Sequence, residues 1–132
     1  MNEQDTQIGV LRIYLRSNDR APRSSRWWKS WLRREISHQL VYAAHADGLA
    51  MAVVRRSHLG FINRGPIVDD AATDIPNPNA VVLIELAGKR DELRAFVERH
   101  RTQLINSHIQ FGLAEQWSLP PAGHQEEETG SG

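Results

Sequence analysis

The sequence predicts an α+β domain in which four strands and two helices follow one another in the order β-α-β-β-α-β. Four short runs are rich in β-branched and large apolar residues, which favour strands. Two other segments carry apolar residues at the helical period. The length of 132 residues suits one domain around a single core. We therefore expect a four-stranded antiparallel sheet with both helices on one face.

The first strand is predicted over residues 8 to 15, IGVLRIYL. Because side chains alternate across a strand, Ile13 and Leu15 should point to one face, and Arg12 and Tyr14 to the other. The first pair would then face the helices and contribute to the core.

The first helix is predicted from Arg26 to about Ala46, where apolar residues recur every three or four positions. Ser24 or Ser25 precedes this segment, and a serine hydroxyl there can accept a hydrogen bond from the first turn. Gly48 follows the last turn, where helices commonly end in a residue of left-handed conformation.

The second strand is predicted over residues 49 to 55, running on to residues 60 to 62. Residues 63 to 79 contain a glycine, three prolines and three aspartates, with few residues suited to a core. This composition predicts a loop of about 17 residues, and unstructured loops of that length in compact domains are usually functional or disordered.

The second half of the chain completes the pattern. A third strand is predicted over residues 81 to 86, a helix from about 90 to 104, and a fourth strand over 107 to 114. This order is the ferredoxin-like arrangement. We expect the folded domain to occupy residues 1 to 117 and a flexible C-terminal tail to occupy residues 118 to 132.

The second and third strands are apolar on both faces, as the pair Val53-Val54 and the run Val81 to Ile84 indicate. The helices can cover only one face of the sheet. In so small a domain, another copy of the chain is the natural cover for the second face, so the sequence favours a homo-oligomer.

The composition excludes several kinds of site. The absence of Cys excludes disulfides, thiol catalysis and Cys-ligated metals. The 16 basic and 16 acidic residues balance, but the segment from Arg12 to Arg64 is basic and arginine-rich, which favours an anionic ligand or surface. With neither a signal peptide nor an apolar run of about 20 residues in view, we expect a cytoplasmic protein.

No catalytic signature is present, so we expect a protein that is not an enzyme and holds no metal. His38 and His45 are separated by about two helical turns, too far apart for one metal ion. The third strand lacks the aromatic residues on which an RNA-recognition module stacks bases, so no nucleic-acid partner is expected.

Trp27, Trp28 and Trp31 stand among basic residues at the start of the first predicted helix. Packing in the core or at an interface is one interpretation. An anchor for a membrane surface or a partner protein is the other, because an aromatic and cationic patch is favourable at both.

The segment from Gly48 to Phe61, GLAMAVVRRSHLGF, resembles the second strand of a less characterised branch of the PII-like signalling proteins. The opening LRIY and the third strand VVLIEL resemble the same branch, and the long loop stands where that family has its T-loop. The resemblance covers roughly residues 8 to 116.

The resemblance implies a ferredoxin-like homotrimer that regulates other proteins. It implies an adenine nucleotide (AMP, ADP or ATP) as effector in clefts between subunits, with bicarbonate as a further ligand and no required cofactor. It implies a partner such as a membrane transporter or a protein of carbon metabolism, and hence a cytoplasmic position at the inner face of the membrane through that partner. The alternative is a structural or interaction subunit of a membrane or carbon-fixation complex that binds no nucleotide.

The resemblance also assigns site residues. The implied ligand-binding residues lie at the base of the T-loop, in the third strand and around the start of the fourth strand: Arg55, Arg56, Ser57, His58, Gly60, Phe61, Glu85, Asn106, Ser107 and His108. The implied partner-binding loop includes Arg64, Gly65, Asp69 and Asp70.

Two roles remain open for Arg56. Arg55 and Arg56 should project to opposite faces of the strand, so that at most one lies inside a given cleft. Arg56 could hold a phosphate through charge-assisted hydrogen bonds. It could instead form a structural ion pair with Glu85 or with an aspartate of the loop.

Overall fold

The computed structural model describes residues 7–16, 36–69 and 79–121. The described elements are β1 (Gln7–Arg16), α1 (Ile36–Ala46), β2 (Met51–Arg56), β3 (Leu59–Gly60), β4 (Val68–Asp69), β5 (Val81–Gly88), α2 (Arg90–Arg99), α3 (Arg101–Leu104) and β6 (His108–Glu115). The predicted helix residues 26–35 with their tryptophans, Asp70 and residues 71–78 of the loop, and the tail beyond residue 121 lie outside the described residues.

The main sheet has the strand order β2-β5-β1-β6. All three neighbouring pairs are antiparallel, and Arg12 of β1 lies opposite Glu85 of β5 and Gln110 of β6. This order confirms the predicted ferredoxin-like α+β fold.

The sheet has two different faces. The covered face carries Leu11, Ile13 and Leu15 of β1, which pack with Leu40 of α1 and Phe96 of α2 in one buried cluster. The alternate residues of the same strands form the open face, which has no helix over it among the described residues. The predicted division of β1 is therefore confirmed, because Ile13 and Leu15 are buried while Arg12 is exposed.

Glycines shape two junctions. Gly48 has a φ of 77°, the left-handed conformation predicted at the end of the first helix. Gly9 lets α2 and β6 approach β1 closely, because a Cβ at Gly9 would lie 2.8 Å from atoms of both Leu93 and Phe111.

The structure differs from the sequence predictions in two places. The second strand ends at Arg56, and the residues after it form a separate two-stranded sheet, in which Leu59 pairs with Asp69. The long segment before β5 thus contains regular structure where only a loop was predicted. The second predicted helix divides into α2 and α3 because the backbone of His100 leaves the helical region, with φ −107° and ψ 20°.

Candidate functional site

A polar cavity of about 490 Å³ opens at the end of the sheet where β1 stops. Its lining comes from three separate parts of the chain: Arg16 at the end of β1, Ile62 and Asn63 after β3, and Ile105, Asn106 and Ser107 between α3 and β6. We call this space the polar cavity. It joins the start of the long segment between β2 and β5 to the connection that precedes the last strand.

The turn Ile62–Gly65, which we call the base turn, forms one wall. The N–H of Gly65 donates to the carbonyl of Ile62 at 2.8 Å. The two central residues, Asn63 and Arg64, have φ values of 51° and 58°. Positive φ at both central positions is the mark of a type I′ turn, which asparagine tolerates well and arginine poorly. Holding Arg64 there costs on the order of 1–3 kcal/mol.

The opposite wall is fixed where α3 ends. The hydroxyl of Ser107 donates to the carbonyl of Leu104 at 2.5 Å, and the Ser107 N–H reaches the same carbonyl at 3.0 Å. The side-chain amide of Asn63 donates to the carbonyl of Asn106 at 3.0 Å. That bond ties the base turn to the segment before β6, so both walls hold each other in place.

Arg16 supplies the positive charge of the cavity. Its guanidinium lies against the base turn, since a Cβ on Gly65 would overlap Nη2 of Arg16 and lie 3.7 Å from its Cζ. A guanidinium presents five donors in a planar fork that matches phosphate or carboxylate oxygens. The Asn63 amide has a second N–H besides the one that it donates to Asn106, so the cavity has the chemistry of an anion site.

Arg55 and Arg56 lie on opposite faces of β2, as predicted. Arg56 pairs in register with Val82, on the covered face, and is half-buried. Arg55 pairs with Leu83, on the open face, and is exposed. The N–H of Ser57 donates to the carbonyl of Val81 at 2.9 Å, which extends the pairing of β2 by one residue.

The next predicted ligand residues lie on or beside the two-stranded sheet. Gly60 belongs to β3, and His58 and Phe61 flank that strand with exposed side chains. Asp69, in β4, is exposed as well. Of the predicted partner-binding residues, Arg64 and Gly65 fall in the base turn, whereas Asp70 lies outside the described residues.

Glu85 lies away from the polar cavity. It stands in the middle of the open face, where the Arg12 Nε donates to Glu85 Oε2 at 3.0 Å. It lies four positions along β5 from Val81, the partner of Arg16 in the sheet, which is about 13 Å along a strand. The ion pair considered between Arg56 and Glu85 is therefore wrong, because their side chains occupy opposite faces and Glu85 pairs with Arg12.

His108 also projects to the open face. Its ring lies 5.8 Å from that of Tyr14, centroid to centroid, and its Nε2 is 3.2 Å from Nε2 of Gln110. The structure thus brings Asn106 and Ser107 to the cavity and places the next residue, His108, on the sheet surface.

Arg16 and Asn63 are the cavity residues that sequence reasoning missed as ligands. Asn63 stood inside the predicted loop, and its place before Arg64-Gly65 was a signal of a tight turn. Arg16, as the last residue of a strand, was a candidate for a side chain that reaches past the sheet end. Neither sequence feature indicates which distant segment of the chain the side chain of Asn63 or Arg16 contacts.

A second cavity, of about 230 Å³, lies between α2 and β6 and is mainly apolar. Arg90 stands over the ring of Phe111 at its rim, 5.4 Å from the centroid. Across the described residues, no cluster of three His, Cys, Asp or Glu side chains could hold a metal ion. No helix among them is long and apolar enough to cross a membrane.

Comparisons with known proteins identify the architecture. No protein-family model and no curated protein matches the sequence. The structure of CPII, a nitrogen regulatory PII-like protein from Thiomonas intermedia K12 bound to ADP, AMP and bicarbonate, matches with a TM-score of 0.54 at 10% identity, over 83% of this chain and 87% of CPII. The chain has the PII-like fold.

A second CPII structure, bound to ADP and bicarbonate, gives a TM-score of 0.53 at 12% identity over the same shares of the two chains. These matches confirm the fold that the sequence resemblance implied. In this PII-like fold, the polar cavity lies at the base of the segment that connects β2 to β5.

Proposed function

We propose that this chain is a PII-like regulatory protein, a homotrimer that binds an adenine nucleotide and bicarbonate in clefts between its subunits. The segment between β2 and β5 then reports the state of the site to a membrane transporter or an enzyme of inorganic-carbon uptake. The chain acts as a sensor, catalyses no reaction and needs no cofactor besides its effector. It works in the cytoplasm, reaching the inner face of the membrane through its partner.

The polar cavity carries this proposal. A phosphate group needs a cation and hydrogen-bond donors on a fixed frame, and Arg16 and the second amide N–H of Asn63 stand around one space. The bond from Asn63 to Asn106 holds that frame together. CPII, which shares the fold, was solved with ADP, AMP and bicarbonate bound. An anionic effector is the ligand class that both observations favour.

The open face supports assembly. Met51 and Val53 are 38% and 39% exposed there, beside the Arg12–Glu85 pair. Large apolar side chains left partly exposed on a sheet face favour contact with another chain. A cleft between subunits would then form along the edges of that face.

The two-stranded sheet supports a role in partner binding. Leu59, Phe61 and Ile67 are 63%, 58% and 70% exposed, although all three are large and apolar. Leu59 and Phe61 precede the base turn and Ile67 follows it, so the ligand site and this apolar surface share one structural element. Large apolar anchors of this kind supply much of the affinity at protein interfaces.

Isothermal titration of the full chain with ADP, AMP and ATP, each with and without bicarbonate, tests the proposal. We expect dissociation constants in the micromolar range for at least one nucleotide, about 8 kcal/mol of binding free energy. Light scattering should give three times the 15.0 kDa of one chain. If the folded protein binds none of the three nucleotides at millimolar concentration, the proposal is wrong. The alternative, a structural or interaction subunit that binds no nucleotide, would then be favoured.

A further inference from the structure

The apolar cavity between α2 and β6 is a groove along an edge of the sheet. Phe111 pairs in register with the buried Leu11, so its side chain lies on the covered face. Phe111 and Ile109 are nevertheless 42% and 37% exposed, because the cavity that they line opens to solvent. We call this cavity the β6 groove. Its volume of about 230 Å³ is smaller than the range of about 300–1,000 Å³ that is usual for small-molecule sites, and it suits a single large side chain.

Two arginines decide which side chain fits the β6 groove best. Arg90 stands over the ring of Phe111, 5.4 Å from its centroid, and Arg94 lines the same groove. A guanidinium stacks favourably on the face of an aromatic ring, and the indole of tryptophan is the best such partner. The apolar floor and the cationic rim together favour a tryptophan as the occupant.

The segment that follows β6 carries such a side chain. Residues 116–121, which we call the arm, form neither helix nor strand. Trp117 and Leu119 of the arm are 78% and 87% exposed. Pro120 and Pro121 come next in the sequence, and consecutive prolines favour an extended backbone in themselves and in the residue before them. The arm thus presents two large apolar side chains to solvent directly beyond the strand that borders the groove.

We propose that the arm of one copy of the chain docks on the β6 groove of a second copy, with Trp117 inserted beside Phe111 and under the arginines of the rim. The same groove of its own chain does not suit this tryptophan. Phe111 lies four positions before Glu115, about 13 Å back along the strand, whereas Trp117 follows Glu115 by two residues, about 7 Å of chain. The backbone of Trp117 therefore stops short of its own Phe111 even if the chain reverses at once.

The exchange of arms is compatible with a closed assembly. Each chain offers one arm and one β6 groove, so the contact is head-to-tail, and such contacts close into a ring when the rotation between copies allows it. A ring of three would agree with the proposed homotrimer. The inference goes beyond the proposed function, because it needs no nucleotide and shares with that proposal only the self-association of the chain.

Introduced cysteines test the contact, since the chain has none of its own. Ser118→Cys places a thiol beside Trp117, and Arg94→Cys places one at the rim of the groove. Both positions are exposed, so both variants should fold. Two full-length chains with one substitution each and different affinity tags are produced together, so that mixed assemblies form. After treatment with oxidised glutathione, we expect a disulfide between the two chains, which requires Cα atoms within about 7 Å of each other.

Controls are available on α2 and α1. Ala95→Cys replaces Arg94→Cys in the matched experiment, because Ala95 is exposed on the same helix but does not line the groove. It should give little disulfide with position 118. Trp117→Ala should lower the yield of the disulfide between positions 118 and 94 about tenfold or more, because the aromatic anchor is lost. Tyr42→Ala removes an aromatic side chain that is 64% exposed on α1, and it should leave the yield unchanged.

The outcomes separate this inference from the proposed function. If light scattering shows an assembly but positions 118 and 94 of different chains do not crosslink, or crosslink no better than positions 118 and 95, only the exchange of arms is wrong. It is equally wrong if a chain that carries both cysteines, diluted with cysteine-free chain, forms the disulfide within itself. A wild type of 15.0 kDa in light scattering would overturn both the exchange and the homotrimer, whereas nucleotide binding is decided separately by titration.

Discussion

On the covered face of the sheet, Ile13, Ile84 and Leu86 are completely buried, whereas the open face carries the Arg12–Glu85 pair among half-exposed apolar residues. Both faces are built from alternate residues of the same strands. The difference indicates that the two faces have different roles. The covered face supplies the free energy that folds one chain, and the open face has a composition suited to contact with other copies.

The largest expected effect is on the covered face. Phe96 of α2 is fully buried in the core cluster, so Phe96→Ala should lower the free energy of unfolding by about 3–5 kcal/mol through lost burial and the cavity left behind. Urea denaturation measures this loss. The control is Val53→Ala on the open face, where the side chain is 39% exposed in the single chain. Equal losses for the two variants would contradict the division between the faces.

The next effect tests whether the open face is buried between copies. Glu85→Leu removes one partner of the Arg12 ion pair. If the open faces meet in an assembly, the unpaired Arg12 should cost about 3–5 kcal/mol and the assembly should dissociate in light scattering. The double variant Arg12→Leu with Glu85→Leu should restore much of the loss, since no lone charge remains. A change below about 1 kcal/mol in Glu85→Leu would mean that the pair stays exposed to water.

The third prediction compares the faces at the end of β2. Arg56→Ala should weaken ADP binding about ten- to a hundredfold, equivalent to about 1.5–3 kcal/mol, while Arg55→Ala should leave it nearly unchanged. The register places the two arginines on opposite faces, so each controls for the other. Calorimetric titration and thermal melting would both be measured. Unchanged affinity with a lower melting temperature in Arg56→Ala would end its assignment as a ligand.

The sequence predicts the covered face well because local patterns determine it. Alternation identified Ile13 and Leu15 as buried, and the helical period predicted the two helices in which Ile36, Leu40 and Phe96 are buried. These assignments depend on neighbours within a few positions along the chain. The element order follows from them with little further information.

The open face and the polar cavity depend on contacts that no local pattern contains. The register of β1 against β5 decides that Glu85 meets Arg12 and not Arg56, and that register emerges only when the strands pair. Strands β3 and β4 have two residues each, too few to show any alternation. The hydrogen bond from the Asn63 amide to the Asn106 carbonyl joins residues that are 43 positions apart in the chain.

The smallest expected effect concerns an ion pair outside the sheet. Glu98 of α2 accepts hydrogen bonds from Arg101, with Arg101 Nη2 2.7 Å from Glu98 Oε1. Those hydrogen bonds, together with the charge of Arg101, lower the pKa of Glu98 below its ordinary value of 4.5 and raise that of Arg101. Both side chains are more than half exposed, so solvent screens the pair. The Glu98–Arg101 pair is therefore a solvent-exposed control for the Arg12–Glu85 pair on the open face.

Because the folded-state pKa of Glu98 is lowered, whatever stability the pair contributes is present at neutral pH and is lost as the pH falls through that pKa. In Arg101→Gln, the NMR titration midpoint of Glu98 should rise toward the ordinary value, while the melting temperature at pH 7 should hardly change. A midpoint that stayed low would assign the shift to Arg94, the weaker cationic neighbour. Should Arg101→Gln lower the melting temperature at pH 7 as much as Glu85→Leu does, the open face would be no more buried than the outer surface of α2. The open face would then remain in contact with water, unlike the covered face, where Ile13 and Leu86 are completely buried.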